Sequence, residues 1–81
     1  MERAILELCA WMPLMPAVIA MHVNRKSTRS LVEFYISPMV ERILLERTIP
    51  GTPSHPAQRY RATPQGIQDL LFDEEPGRGH P

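Results

Sequence analysis

Residues 27–63, STRSLVEFYISPMVERILLERTIPGTPSHPAQRYRAT, decide how this chain folds. The first part has helical periodicity. Leu31, Tyr35, Ile36, Met39, Val40, Ile43 and Leu44 recur three and four residues apart and draw one apolar stripe. Ser30 and Glu33 have capping-box spacing, a hydroxyl to cap the helix start and a carboxylate to reach back, so the helix is expected to begin there. Pro38 lies inside it, where its ring meets the carbonyl of Phe34, and a kink or break near residues 34–38 is expected. Residues 44–49 and 58–63 then read as strands. The loop between them, Pro50-Gly51-Thr52-Pro53-Ser54-His55-Pro56-Ala57, can be neither helix nor central strand, because proline donates no backbone hydrogen bond.

Toward the N-terminus, residues 2–12 read as a helix with Ile5, Leu8, Cys9 and Met12 on one face, ended by Pro13. Pro16 suits the first turn of a second helix over residues 16–23, burying Val18, Ile19 and His22 or Val23. Asn24 can take the left-handed conformation that ends a helix. Toward the C-terminus, Thr63-Pro64-Gln65-Gly66 is a helix start, and Ile67, Leu70 and Leu71 give that helix one apolar side to lay against the first. Residues 73–81, DEEPGRGHP, have nothing to bury and are expected to be a disordered acidic, Gly/Pro-rich tail. A domain of residues 1–72 results. Its elements make an α+β winged helix-turn-helix: a three-helix bundle, a two-stranded wing and a C-terminal helix.

Eighty-one residues supply a small core and no room for a deep catalytic cleft. The formal net charge is zero, but the charge is segregated. Arg25, Lys26, Arg29, Arg42, Arg47, Arg59 and Arg61 face only Glu33, Glu41 and Glu46 within residues 22–63, a net +4. Residues 64–81 carry −3 and residues 1–21 carry −1. One cysteine, Cys9, excludes an internal disulfide, sits in a helical apolar pattern, and suits a reducing cytoplasm. The apolar run over residues 5–23 is interrupted by Glu7, Pro13, Pro16 and His22, so neither a membrane span nor a signal peptide is expected. His22, His55 and His80 have no ligand spacing with one another or with Cys9. No phosphate loop or nucleophile–base arrangement is present; Ser54 and His55 are merely adjacent. The expectation is a cytoplasmic binding module with no enzymatic activity, cofactor or metal.

The candidate binding surface is Arg25-Lys26-Ser27-Thr28-Arg29-Ser30, at the turn and start of the third helix. In a helix-turn-helix that end enters the major groove and offers cations and hydroxyls to phosphates and base edges. The plainer alternative is a solvated charged turn. Arg59 and Arg61 alternate with Gln58, Tyr60 and Ala62, so they leave one side of the strand while Tyr60 points to the core. Glu33 stands one turn after Arg29 and can partly neutralise it. Phe34 lies off the apolar stripe and is expected to be swung into the core by the Pro38 kink, the alternative being a partner surface.

Tyr35-Ile36-Ser37-Pro38, Leu44-Leu45-Glu46, Thr48-Ile49-Pro50, Pro53, Gln58-Arg59-Tyr60-Arg61 and Thr63-Pro64-Gln65-Gly66 resemble a small bacterial domain. It closes the C-terminus of Fic/DOC-family proteins and of ATP-dependent-helicase-like transcriptional regulators. The resemblance covers about residues 5–72. It implies a winged-helix fold and a DNA-binding role, attached in longer relatives to a catalytic or nucleotide-binding domain. Four positions depart from the pattern. Ile43 stands at the helix-ending glycine, so the turn there must keep φ negative or carry strain. Ala62 replaces a larger apolar residue. Gly51-Thr52 and Pro56 leave the wing tip less basic, and Met15 stands at a capping serine. The expected function is weak binding of duplex DNA by a monomer. The alternative is a protein-interaction or dimerisation winged helix that positions or restrains a neighbouring catalytic domain.

Overall fold

The computed structural model describes residues 1–72; the expected tail, 73–81, lies outside them. Helix α1 (Glu2–Trp11) starts with an acidic residue at its positive end and stops where Met12 turns extended ahead of Pro13. It buries Ile5, Leu6 and Cys9. Met12 was expected on that face, but the helix stops before it, and its side chain is 58% exposed. Leu6 takes the place in the core instead. Past Pro13, Leu14 exchanges two backbone hydrogen bonds with Tyr60, N to O at 2.9 Å and O to N at 2.8 Å, a one-residue bridge on the other side of Tyr60 from the strand pair described below.

Helix α2 (Pro16–His22) begins on proline as expected, with Met15 in the cap position making no side-chain bond. Ile19 and Ala20 are buried, whereas Val18 and Val23 are half-buried and His22 is exposed. Asn24 ends the helix at φ 60°, and the amide of Arg25 then reaches back to the carbonyl of Ala20 at 2.8 Å. That is the left-handed stop anticipated for asparagine.

The third helix, α3, runs over residues 28–41 and is continuous through three parts: α-helical Thr28–Leu31, a π-helical turn Val32–Ile36 and α-helical Ser37–Glu41. Its cap is Ser27, whose Oγ accepts from the amide of Ser30 at 3.1 Å; Ser30 itself lies in the first turn. The helix therefore starts three residues earlier than the Ser30–Glu33 spacing indicates. Ser27 wins because its own carbonyl already receives the Leu31 amide, at 3.1 Å, which closes the first α-turn. Pro38 perturbs the helix where expected, but by a wide turn rather than a break. The amide of Ser37 bonds to the carbonyl of Val32, five residues back, which relaxes the ladder where the proline ring enters. Leu31, Ile36 and Met39 are fully buried, and Tyr35 and Val40 half-buried. Phe34 is not drawn in: it is 66% exposed, because the wide turn leaves it on the outer face.

Ile43 ends α3 at φ 63°, with the amide of Leu44 bonded to the carbonyl of Met39 at 2.9 Å. The backbone thus keeps the left-handed stop that glycine favours and imposes it on a β-branched residue. The same geometry turns the Ile43 side chain out of the stripe, 63% exposed, and delivers Leu44 and Leu45 to the core.

Strands β1 (Leu45–Arg47) and β2 (Tyr60–Ala62) pair antiparallel, Leu45 opposite Ala62, Glu46 opposite Arg61, and Arg47 opposite Tyr60. Both are shorter than the sequence suggests: beyond Arg47 one backbone bond remains, from the Thr48 amide to the Arg59 carbonyl at 2.9 Å, and the side chains of Thr48 and Gln58 make the other links. Helix α4 (Pro64–Phe72) then packs on α1. Thr63 caps it, accepting from the Gly66 amide at 2.9 Å while donating to the carbonyl of Ile43. Of its apolar residues Leu70 is half-buried; Ile67 and Leu71 point outward. The close contact is made by Gly66, where a Cβ would lie 2.2 Å from the carbonyl oxygen of Leu44. The molecule is a small α+β unit of four helices and a two-stranded sheet around a core of Ile5, Leu6, Cys9, Ile19, Leu31, Ile36, Met39, Leu44, Leu45 and Tyr60.

Two substitutions test this account. Ile43→Gly removes a left-handed penalty of about 1–2 kcal/mol against a glycine entropy cost of about 0.5–1 kcal/mol. It is expected to raise the urea midpoint with an unchanged slope. Gly66→Ala has to push backbone apart and is expected to destabilise by about 1–3 kcal/mol.

Candidate nucleic-acid interface

The turn from α2 to α3 and the first turn of α3 hold the six residues singled out in the sequence, in unequal states. Arg25 and Lys26 are exposed, the Arg25 guanidinium standing 5.3 Å from the centroid of the Tyr35 ring. Ser27 has its hydroxyl occupied as the helix cap. Thr28 and Ser30 are half-buried, and Arg29 is exposed. Arg29 and Glu33 form no ion pair among the described residues, so the neutralisation anticipated one turn along the helix is absent from this arrangement.

On β2 the expected alternation is present: Gln58 and Tyr60 are buried, Arg59 and Arg61 exposed. Arg61, however, is compensated. Its Nε sits 2.6 Å from Oε2 of Glu46, its cross-strand partner. Arg42 is likewise held by Glu2, with Nη1 3.0 Å from both carboxylate oxygens. Of the basic excess in residues 22–63, Arg25, Lys26, Arg29, Arg47 and Arg59 have no carboxylate partner among the described residues.

Arg29 and Arg47 share a groove of about 610 Å³, between the start of α2, the outer face of α3 and the loop at residues 53–56. Two of its residues were not recognised from sequence as functional. Gln58 is 3% exposed and ties the loop to the strand ends. Its Oε1 accepts from the amide of Ile49 at 2.9 Å, and its Nε2 donates to the carbonyls of Ile49 at 2.7 Å and Thr52 at 3.1 Å. A side-chain amide here does what two further strand rungs would do. Arg47 follows Leu45 by two residues on β1, so it shares the inward face of that strand. That period-two relation was the available signal. Its Nε is buried with no hydrogen-bond partner among the described residues.

The remaining polar chemistry is local. His22 Nδ1 lies 3.0 Å from the carbonyl of Val18, and His55 Nδ1 accepts from the amide of Ala57 at 2.9 Å. Among the described residues no three His, Cys, Asp or Glu side chains converge on a metal position, and no helix is long and apolar enough to cross a membrane. Cys9 is buried, and that burial pushes its thiol from 9.0 up to about 12.

Residues 6–63 match the family described as the C-terminal domain of the filamentation-induced-by-cAMP protein Fic-like group. The chain belongs to that family. It is also similar to a solved Fic family protein from Desulfovibrio desulfuricans G20, at 26% identity and a TM-score of 0.65. That alignment covers 78% of this chain and 20% of the other, so this chain spans about a fifth of that protein's length. Among curated proteins, none matches.

Gln58→Ala leaves the Ile49 amide without its acceptor. It is expected to cost about 1–3 kcal/mol and to abolish hydrogen-exchange protection at Ile49 before that of the core helices. For Cys9 the sign follows from the raised value. The unfolded chain starts to lose this proton near pH 9 while the folded chain keeps it, so stability is intact below pH 9 and falls as the pH rises toward 12. Comparing wild type with Cys9→Ala in urea across that range isolates the effect, on the order of 1 kcal/mol per pH unit.

Proposed function

We propose that this chain is a winged-helix module that binds duplex DNA without catalysis of its own, within a cytoplasmic Fic family protein. In this reading α3 is the recognition helix and the hairpin loop is the wing. The observation that carries it is the set of uncompensated cations at one end of α3, Arg25, Lys26 and Arg29, with the loop facing that end across a single groove. The N-terminal end of a recognition helix is the part that meets base edges, and flanking cations and hydroxyls take the phosphates. Arg25 and Lys26 are assigned to phosphate, Arg29 to a base edge, and Arg59 to the backbone beside the wing. The pairing of Arg61 with Glu46 makes Arg61 a weak contributor.

A second reading is favoured by a separate observation. Trp11 is 88% exposed, Met21 70% and Phe34 66%, large apolar surface whose burial would be favourable. A protein partner, either a neighbouring domain or a second copy, would cover it. The two readings are compatible, since a dimer would present two recognition helices.

Titration of a labelled random duplex at two salt concentrations tests the DNA reading. Affinity is expected in the micromolar range or weaker, and to fall with salt by about 0.9 log units per phosphate contact per decade. Arg25→Ala/Lys26→Ala should weaken binding to all sequences alike and flatten the slope by about two contacts. Absence of wild-type binding at low salt, where surface charge is least screened, would sink the DNA reading and leave the protein-interaction one.

A further inference from the structure

We infer that the groove between α3 and the wing is a seat for one backbone phosphate of duplex DNA, and that Arg47 is its central ligand. The inference rests on the DNA-binding reading and adds a site and a residue to it. Arg47 stands on the inward face of β1, opposite Tyr60, and its side chain lines the groove. Its Nε is packed out of water with no acceptor, although a guanidinium brings five donors in a rigid fork. A donor stranded in this way is disfavoured in the free protein and is relieved once the side chain extends to an acceptor. An anion arriving in the groove supplies one. Its planar fork matches two oxygens of a single phosphate, as the Arg29 guanidinium in the same groove also does; the stranded Nε sets Arg47 apart.

The charges set how much anion the seat takes. Arg29 enters from the first turn of α3, and Glu33 one turn further along the same helix. Two guanidiniums and one carboxylate leave a net +1, which suits one phosphate and repels a second. The groove walls are largely apolar, with Met15, Pro16, Val32 and Pro53 among them, and beside such walls a charge pair is stronger than in bulk water. Both rims are held by hydrogen bonds: the Asn24 turn and the Ser27 cap aim the start of α3, and the Gln58 side chain ties Thr52, just before residues 53–56, to the strand end at Ile49. The helix start and the loop are therefore set before the ligand arrives, which lowers the ordering cost of binding, and Arg47 is the part that has to extend.

Arg47→Met keeps much of the apolar stem and removes the charge; Arg47→Lys keeps the charge and removes the fork. Both are titrated with labelled random duplex at two salt concentrations, beside wild type, with thermal unfolding as the check on folding. Arg47→Met is expected to unfold at or above the wild-type temperature, bind about tenfold more weakly at low salt, and lose about 0.9 from the log–log salt slope. Arg47→Lys should keep the slope and bind with intermediate affinity. Wild-type slope and affinity in a folded Arg47→Met variant would overturn this inference while leaving DNA binding intact. No binding by wild type would overturn both. If Arg47→Met unfolds at a lower temperature, Arg47→Lys decides: wild-type affinity from it shows that the fork is not used and overturns the assignment.

Discussion

Thr63 joins three parts of the chain through its hydroxyl and its backbone amide. The hydroxyl donates to the carbonyl of Ile43, at the end of α3, and accepts from the amide of Gly66, in the first turn of α4. The Thr63 backbone amide bonds to the carbonyl of Leu44 at 3.1 Å, just before β1 begins. One residue thus closes the sheet, caps the last helix and satisfies a carbonyl left open at a helix end. The junction is so close that only glycine fits at position 66. It also explains why Ile43 tolerates φ 63°. The left-handed stop puts the carbonyls of Ile43 and Leu44 where Thr63 needs them, so the strain at one residue is offset by three hydrogen bonds at the junction.

From that junction the sheet leads to the groove. Leu45 is anchored in the core, Glu46 turns out to pair with Arg61, and Arg47 turns in toward the start of α2 and the outer face of α3. Beyond the Thr48–Arg59 backbone hydrogen bond, Gln58 takes over from backbone pairing. A loop with three prolines in eight residues cannot supply a regular ladder, so a side chain with both a donor and an acceptor does it. Polar burial in so small a domain would be costly if unmet. At Gln58 it is met, and that places the loop across from Arg29.

The electrostatics are divided in the same way. Arg42 and Arg61 are compensated by Glu2 and Glu46, which lie far away in sequence or across the sheet. The cations without a carboxylate partner among the described residues lie at the start of α3, on the inward face of β1 and just before β2. Glu2, Glu7 and Glu46 are matched to other arginines, so these three carboxylates do not neutralise Arg25, Lys26 and Arg29.

Helical and strand periods, the proline stops, Asn24 and the Thr63-Pro64 start were legible in the sequence because each acts within a few residues of itself. So was the buried, unreactive setting of Cys9, and the alternation of Arg59 and Arg61 with Tyr60. The cap at Ser27 was within reach too, but two serines three residues apart compete, and the choice falls to the one whose carbonyl closes the first turn. The fate of Phe34 depended on how the helix absorbs Pro38, which local rules leave open between a break, a kink and a wide turn. The pairing of Arg61 with Glu46, the burial of Gln58 and the orphaned Nε of Arg47 required the strand register and the loop path. By itself the sequence determined the order of elements, their stops and the segregation of charge, all properties of near neighbours along the chain. The tertiary structure alone decided which cations are compensated and which share a groove, because those distances are set by packing between residues remote in sequence.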